Sequence, residues 1–414
     1  ILAYLKKNGF ETVSDPELSD IIIVNTCGFI ESAKKESIDA ILERCRFGKP
    51  VVVTGCLATR YLKELKEEIP EVAEWIPLEE YKNFGEHFQK LVKDRKLTGE
   101  IDPTKRRFIS PKREAYLRIS DGCNNFCTFC AIPYIRGRFK SVPFETLKTE
   151  LNEMEEDGIR SLTVISQDTS RYGKDIGLTL TDLVKEIVKH PTFDFVKLRY
   201  LYPDEVPQEL IDLYAADNSL TPYFDLPVQH FSNNVLKHRG RRGTEQDIID
   251  LIHRFREKVP NSIIRTTVMV GFPGETEEDV DELIKQRKEL KFDHLGCFTY
   301  CPEEGTPGAK FKDQIPEEIK LARYKRVRQT QKRISYALNK KRIGQTYRCL
   351  VTKRNKDNLS YSCINNVYAP DDIDGERRLY SRYPLNEGDL VNAKVVNAGV
   401  YDLEAEVTDI IRKA

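Results

Sequence analysis

From residue 115 to residue 301 the chain alternates six times between a short apolar strand pattern and a more polar stretch. The strand patterns are AYLRIS, SLTVISQD, FVKLRYLYP, YFDLPVQH, SIIRTTVMVGF and HLGCFTYC, and amphipathic helical stretches such as FETLKTELNEMEEDG and TEEDVDELIKQRKEL lie between them. Parallel strands need a crossover of a dozen or more residues, usually a helix, so this rhythm specifies a parallel sheet. Six βα units predict a partial (β/α)6 barrel over residues 108–340. In such a barrel the working residues gather at the carboxyl ends of the strands.

The flanks have other periodicities. Over residues 1–100, IIIVNTC and VVVTGC are β-branched runs, each followed by a helical pattern, as in a small α/β domain whose parallel sheet is buried on both faces. DPTKRRFISPKR (102–113) has the prolines and basic cluster of a linker. Over residues 343–414, YRCLVTKR, LSYSCINN, DLVNAKVVNAG and EAEVTDIIRK are short alternating strands, which predict a small antiparallel β-barrel. The fold class is therefore α/β multidomain. The opening ILAYLKKNGF has the spacing and terminal glycine of a helix ending, so a preceding segment is expected.

Ten cysteines in 414 residues are too sparse for a disulfide scaffold, and no secretory segment or apolar run of membrane-spanning length occurs. They read as cytoplasmic thiols available for metal or redox work. Lys+Arg and Asp+Glu both number 66, which gives the whole chain no bias toward a polyanion. Three cysteines stand out in SDGCNNFCTFCAIPYIRGR: Cys123, Cys127 and Cys130, spaced C-x3-C-x2-C. A structural zinc site closes with four ligands, and a redox pair needs only C-x-x-C. Iron–sulfur clusters are thiolate-ligated, and a four-iron cubane on three cysteines keeps one iron open. A chance group of buried thiols is the plain alternative.

The same spacing, following a first barrel strand and with Phe129 before the last cysteine, resembles the radical S-adenosylmethionine (SAM) signature. That resemblance implies a 4Fe-4S cluster on Cys123, Cys127 and Cys130, with SAM chelated at the open iron. VNTCGFIESAKKESI and VVVTGCLATRY resemble the N-terminal domain of the methylthiotransferases within that superfamily. There Cys27 and Cys56 would be two of three ligands to an auxiliary 4Fe-4S cluster, whose first ligand falls upstream of Ile1. MVGFPGET resembles the segment near bound SAM, which marks Gly271, Gly274 and Glu275 as cofactor contacts. Gln167 and Arg199, at strand ends, join them, with Asp168 and His230 as structural residues or further contacts. Cys45, Cys297, Cys301, Cys349 and Cys363 read as small buried hydrophobes.

The tail resembles a TRAM domain. ISQDTSRYGKD, RYLYPDEV and FDLPVQHFSNNVL resemble the branch that methylthiolates the β-carbon of an aspartate in small-subunit ribosomal protein S-twelve, using two SAM per turnover. The competing branch modifies an adenosine of transfer RNA, and a non-catalytic iron–sulfur carrier is a remoter alternative. Residues 343–414 hold ten Lys/Arg and eleven Asp/Glu, with an acidic run DDIDGE at 371–376. A near-neutral tail suits a cationic protein better than RNA, and Asp371, Asp372 and Asp374 are the expected docking charges. Expected partners are the S-twelve protein and an electron donor, without membrane or transfer RNA.

Overall fold

The computed structural model describes residues 1–102, 113–357, 359–369 and 373–414, so the linker at 102–113, but for its ends, lies outside the described residues, as do Asp371 and Asp372. Two compact units result. Residues 1–102 group with Gly122–Phe139 and Cys301–Ala309, and the remaining described residues form the second unit. Among the described residues no helix is long and apolar enough to cross a membrane.

The first unit is built on three parallel strands, β1 (Ile22–Thr26), β2 (Val51–Gly55) and β3 (Glu74–Ile76), in that order. Successive strand residues point to opposite faces. Val51 and Val53 accordingly pack with Ile41, Leu57 and Trp75. Val52 packs on the other side with Tyr4, Ile76, Phe84 and Phe88. With both faces covered, an unbroken β-branched run is what the strand requires.

The second unit contains β4 (Glu114–Arg118), a short ribbon of β5 (Ser120–Asp121) and β6 (Lys140–Ser141), and then β7 (Ser161–Ile165), β8 (Phe195–Leu198), β9 (Leu220–Gln229), β10 (Ile263–Val270) and β11 (His294–Thr299). Its six-stranded sheet runs β4-β7-β8-β9-β10-β11 with every neighbouring pair parallel. Val196, Leu198, Phe224, Leu226 and Ile264 join the helix-covered core. The alternate positions Lys197, Tyr223, Asp225 and Arg265 therefore belong to the opposite face.

The tail follows as β12 (Thr346–Arg354), β13 (Ser360–Ile364), β14 (Arg377–Tyr380), β15 (Leu390–Ala398) and β16 (Leu403–Arg412). These close into a five-stranded barrel ordered β12-β13-β14-β16-β15, antiparallel except for the β14–β16 pair. The strand absent from the sequence reading is β14: RRLY is four residues long and half arginine, so it shows little apolar alternation.

The tail seats on the second face of the sheet. Phe195 packs with Leu350, Ile364 and Leu390, while Tyr223 and Ile263 enter the core of the tail barrel. Around these contacts lies a polar seam. Lys197 Nζ, fully buried, donates to the Asn365 and Tyr368 carbonyls at 2.8 and 2.7 Å. The His294 ring nitrogen Nε2 lies 2.6 Å from the Val367 carbonyl. Tyr223 donates its hydroxyl to Asp374 at 2.6 Å, and Arg265 bridges Asp374 (3.2 Å) to Asp225 (3.0 Å). A helix of 26 residues, Glu317–Arg342, runs along β11 and reaches β15. Its buried stripe is mostly polar: Gln331 donates to the Phe292 carbonyl, Ser335 to that of Asp293, and Arg342 pairs with the Asp293 carboxylate.

Asp374 therefore corrects the sequence expectation. It is 7 % exposed and held by Arg265, Tyr223 and the Ala369 N–H, which leaves it no freedom to dock a partner. Burial pushes its carboxyl up, but His294, Arg265, Tyr223 and Ala369 outweigh burial and hold it down at about 2. With a folded pKa below the unfolded one, its stabilisation is complete above roughly pH 4 and is lost as pH falls toward 2. Asp374→Asn removes the partner of a buried cation and is expected to cost about 3 kcal/mol. Urea unfolding should show the lower midpoint, and stability between pH 4 and 2 should depend less on pH than in the parent. An unchanged midpoint together with an unchanged acid limb would refute this role.

Candidate functional site

In the first unit, residues Gly122–Phe139 fold back on themselves. Gly122 has φ +72°, and a Cβ there would lie 2.2 Å from the Arg138 carbonyl oxygen, so only glycine fits. Cys123 N donates to the Gly137 carbonyl at 3.2 Å, and Phe139 N to the Asn124 side chain at 3.1 Å, closing the loop at its base. Phe126 adopts the left-handed region (φ +47°), with the Arg138 guanidinium over its ring. A non-glycine residue held there marks a backbone fixed by its surroundings. Cys130 N donates to the Cys127 carbonyl at 2.9 Å, a tight turn that keeps the second and third cysteines on one short arc. Cys123 and Cys127 are buried and Cys130 is half-buried. Asn125 N also lies 3.5 Å from the Cys123 sulfur, so a backbone donor already faces it.

Cys27 and Cys56 directly follow Thr26 and Gly55, which are register partners on β1 and β2. The two thiols thus leave adjacent strands at the carboxyl edge of the sheet, where ligands bind in parallel α/β folds. Close backbone approach makes this possible. A Cβ on Gly55 (φ +101°) would meet the Thr26 oxygen at 2.4 Å, and one on Gly28 would meet Leu57 Cα at 2.8 Å. Cys56 is buried with Ala131 and Ile135 and accepts from Arg136 Nη2 at 3.4 Å, so the helix after Cys130 packs onto it. Gly308 N donates to the Thr128 carbonyl at 2.7 Å, which ties the CPEEGTPGA loop to the three-cysteine loop. Both cysteine groups therefore lie within one compact unit. Cys301, in that loop, is exposed rather than buried, contrary to its sequence reading; Cys297, Cys349 and Cys363 are buried as read.

Among the described residues no three His, Cys, Asp or Glu side chains converge as one metal ion would require. A cubane takes each cysteine on a different iron, so its ligands need proximity on one loop rather than convergence on one point. The donor set fits that demand in kind: three thiols, two of them buried, on a backbone braced at both ends.

In the second unit, the carboxyl ends of the strands collect polar atoms without hydrogen-bond partners. Ser120 Oγ, Gln167 Oε1 and Gln229 Oε1 are all buried in this state, while His230 Nε2 lies 3.7 Å from the Glu275 carboxylate. Buried polar groups are ordinarily paired, so these side-chain oxygens are available to a polar ligand at that edge. Tyr200 (φ +60°) and Gln229 (φ +69°) add left-handed backbone at the ends of β8 and β9. Gln229, Tyr200 and Ser120 escaped the sequence reading, whose signal for them is only a polar residue just past an apolar strand.

The other anticipated contacts have their own partners. Arg199 Nε donates to Asp225 at 3.0 Å, and both are buried. Glu275 is 4 % exposed; it accepts from Gly271 N at 2.7 Å and pairs with Arg323 at 3.0 Å and Arg239 at 3.3 Å. Burial pushes the Glu275 carboxyl up against the pull of Arg239, Gly271 and Arg323, and burial pushes Arg239 down to about 10. Burial, then Arg239 and Arg323, hold His230 well below its ordinary range, so its imidazole is neutral. Glu275 shapes the loop from beneath. Gly271 (φ +78°) leaves room for the Lys320 stem, and Gly274 (φ +77°) lies against Asp313 and His238.

Comparison with known proteins gives two family matches: the Radical SAM superfamily over residues 117–286 and uncharacterized protein family UPF0004 over residues 1–77. A ribosomal protein uS12 methylthiotransferase RimO from Clostridium kluyveri is 41% identical, covering 97% of this chain and 93% of that protein. Proteins of the same name from Clostridioides difficile and Acetivibrio thermocellus are 38% and 39% identical, each covering 98% of this chain and 94% of theirs. Among solved structures, the radical S-adenosylmethionine methyltransferase TsrM from Kitasatospora setae, with cobalamin and a [4Fe-4S] cluster bound, superposes with TM-score 0.52 at 17% identity. It covers 70% of this chain and 65% of that chain, a likeness of fold.

Gly122→Ala drives a methyl group into the Arg138 carbonyl and strains the left-handed turn by about 1–3 kcal/mol. In reduced, metal-free protein, maleimide labelling of Cys123 and Cys127 is expected to rise several-fold, toward the rate of exposed Cys301. Labelling at parental rates would show that the loop does not depend on this glycine.

Proposed function

Because the chain belongs to the ribosomal protein uS12 methylthiotransferase (RimO) family within the radical SAM superfamily, we propose that it adds a methylthio group to the β-carbon of an aspartate in that small-subunit ribosomal protein, S-twelve. The observation that carries the reading is identity near 40% across nearly the whole of both chains, together with a Radical SAM match over residues 117–286 that spans the three-cysteine loop. Residues 1–100, 108–340 and 343–414 are proposed as the auxiliary-cluster, radical SAM and TRAM domains. A ribosomal substrate implies action in the cytoplasm, with an electron donor as further partner.

The superfamily implies a 4Fe-4S cluster and SAM. When bound, they supply one electron for breaking the sulfonium carbon–sulfur bond and a carbon radical able to remove an unactivated hydrogen. This chain's residues bind, orient and shield. Cys123, Cys127 and Cys130 would hold the SAM-binding cluster on the braced loop. Cys27 and Cys56 would hold an auxiliary cluster, with Arg136 donating to the Cys56 sulfur. Gln167 and Gln229 offer unpartnered amide oxygens for the hydroxyl or amino groups of a bound nucleoside. Gly271 and Gly274 would meet the cofactor through a backbone loop that packs closely on Lys320, Asp313 and His238 and that Glu275 fixes. Arg199 is held by Asp225 and keeps a positive charge at a strand end.

Protein reconstituted with iron and sulfide without oxygen is expected to cleave SAM to 5′-deoxyadenosine when reduced, and Cys127→Ala should abolish this. Cleavage at the parental rate by the variant would remove Cys127 from the ligand set.

Substrate choice is tested by offering uS12 and transfer RNA together under reducing conditions. Mass spectrometry should find one added methylthio group on the protein and none on the RNA. A methylthio group on adenosine instead would transfer the chain to the competing branch.

A further inference from the structure

The helix Glu317–Arg342 holds ten lysines and arginines but only two acids, both in its first turn. On its buried side and margins this charge is neutralised. Lys320 meets Glu317 and the Tyr300 carbonyl, Arg323 meets Glu275 and Glu277, Arg326 meets Glu277 and Asp281, and Arg342 meets Asp293. The opposite side differs. Lys325, Gln329, Lys332, Arg333, Tyr336 and Lys340 recur at three- and four-residue spacings, which aligns them within roughly a third of the helix circumference. All but Gln329 are cationic or aromatic, and all six are exposed. The stripe is about 22 Å long at 1.5 Å per residue. Among the described residues no carboxylate pairs with Lys325, Lys332, Arg333 or Lys340; the nearest company is the Tyr336 ring, 4.8 Å from Lys340 Nζ.

A charged helix face is often merely solvated, but such faces usually mix signs, since like charges one turn apart repel and weaken the helix. Here no acid follows Glu318 in the helix, although the chain as a whole is balanced at 66 and 66. Cations interleaved with an aromatic ring along one line match a sugar–phosphate backbone, which presents regularly spaced negative charge and stackable bases. An anionic membrane would instead require an apolar face beside the cations, whereas the opposite face of this helix is polar and buried in the protein.

We propose that this stripe docks on the phosphate backbone of RNA. The inference deepens the proposed function and rests on it: a ribosomal protein is normally surrounded by RNA, so the helix would address the substrate inside its ribonucleoprotein particle. Phosphate contacts of this kind position an enzyme without reading sequence.

The test uses the full chain and a short RNA duplex labelled for anisotropy, over a series of salt concentrations. Log affinity should fall linearly with log salt. Lys332→Glu with Arg333→Glu should weaken binding at least tenfold and reduce the slope by roughly two, one per lost phosphate contact. The milder pair Lys332→Gln and Arg333→Gln guards against misfolding and should give the same change in slope. Both pairs should modify isolated uS12 at the parental rate and uS12 within small ribosomal particles more slowly. RNA affinity unchanged in both pairs, equal modification of particles, or binding to vesicles of phosphatidylglycerol and phosphatidylcholine but not to RNA would each overturn the proposal. Failure of the parent to modify uS12 in any form would instead refute the functional reading, and the RNA titration would still decide whether the stripe binds.

Discussion

The second unit depends on burying charge without abandoning it. Removing a lysine or arginine from water costs several kcal/mol, recovered only where the partners are well placed. Lys197, Arg265 and Arg342 each meet that condition with carbonyls or carboxylates contributed across the seam between sheet, tail and long helix. Burial pushes Lys197 from the ammonium toward the amine, down to about 7. Either form has the two N–H donors that the Asn365 and Tyr368 carbonyls need, so the attachment survives loss of the proton. A wholly apolar seam would tolerate sliding; fixed donors facing fixed acceptors define one register.

That seam also decides where chemistry can occur. Along each strand the residues that meet the tail come first: Phe195 and Lys197 before Arg199, Tyr223 before Gln229, Ile263 and Arg265 before Gly271. What remains beyond them is the carboxyl edge, with its unpartnered amides and left-handed residues. Packing at one end of each strand and strain with unsatisfied polarity at the other is the division expected of a parallel sheet that binds ligands. In the first unit the same rule acts on two adjacent strands, whose register delivers Cys27 and Cys56 to neighbouring positions.

Much of this was legible in the sequence. The six-strand rhythm and the buried β-branched runs are periodic signals, and three cysteines in eight residues are a compositional one. What stayed hidden was polar. The long helix buries Lys320, Arg323, Gln331, Ser335, Asn339 and Arg342, so it has little of the apolar period that announces a packed helix. Asp374 looked like part of a solvated acidic turn because its partner Arg265 lies 109 residues away. Glu275 was recognisable as a loop residue, but Arg239 and Arg323, which define its role, come from two other elements. Sequence periodicity reports burial of carbon well and burial of charge poorly.

The seam also sets a limit on evolution by recombination. Small closed barrels often pass between proteins as self-contained modules, because their own cores stabilise them. This one is not free to move. The sheet keeps Lys197, Arg265 and His294 aimed at its carbonyls and at one carboxylate, while its own Arg348 and Arg412 reach back to Asp194. A foreign barrel with an equally good core would leave those groups buried and unanswered on both sides. Exchanging either side of the seam alone therefore costs stability unless the groups that face it change with it.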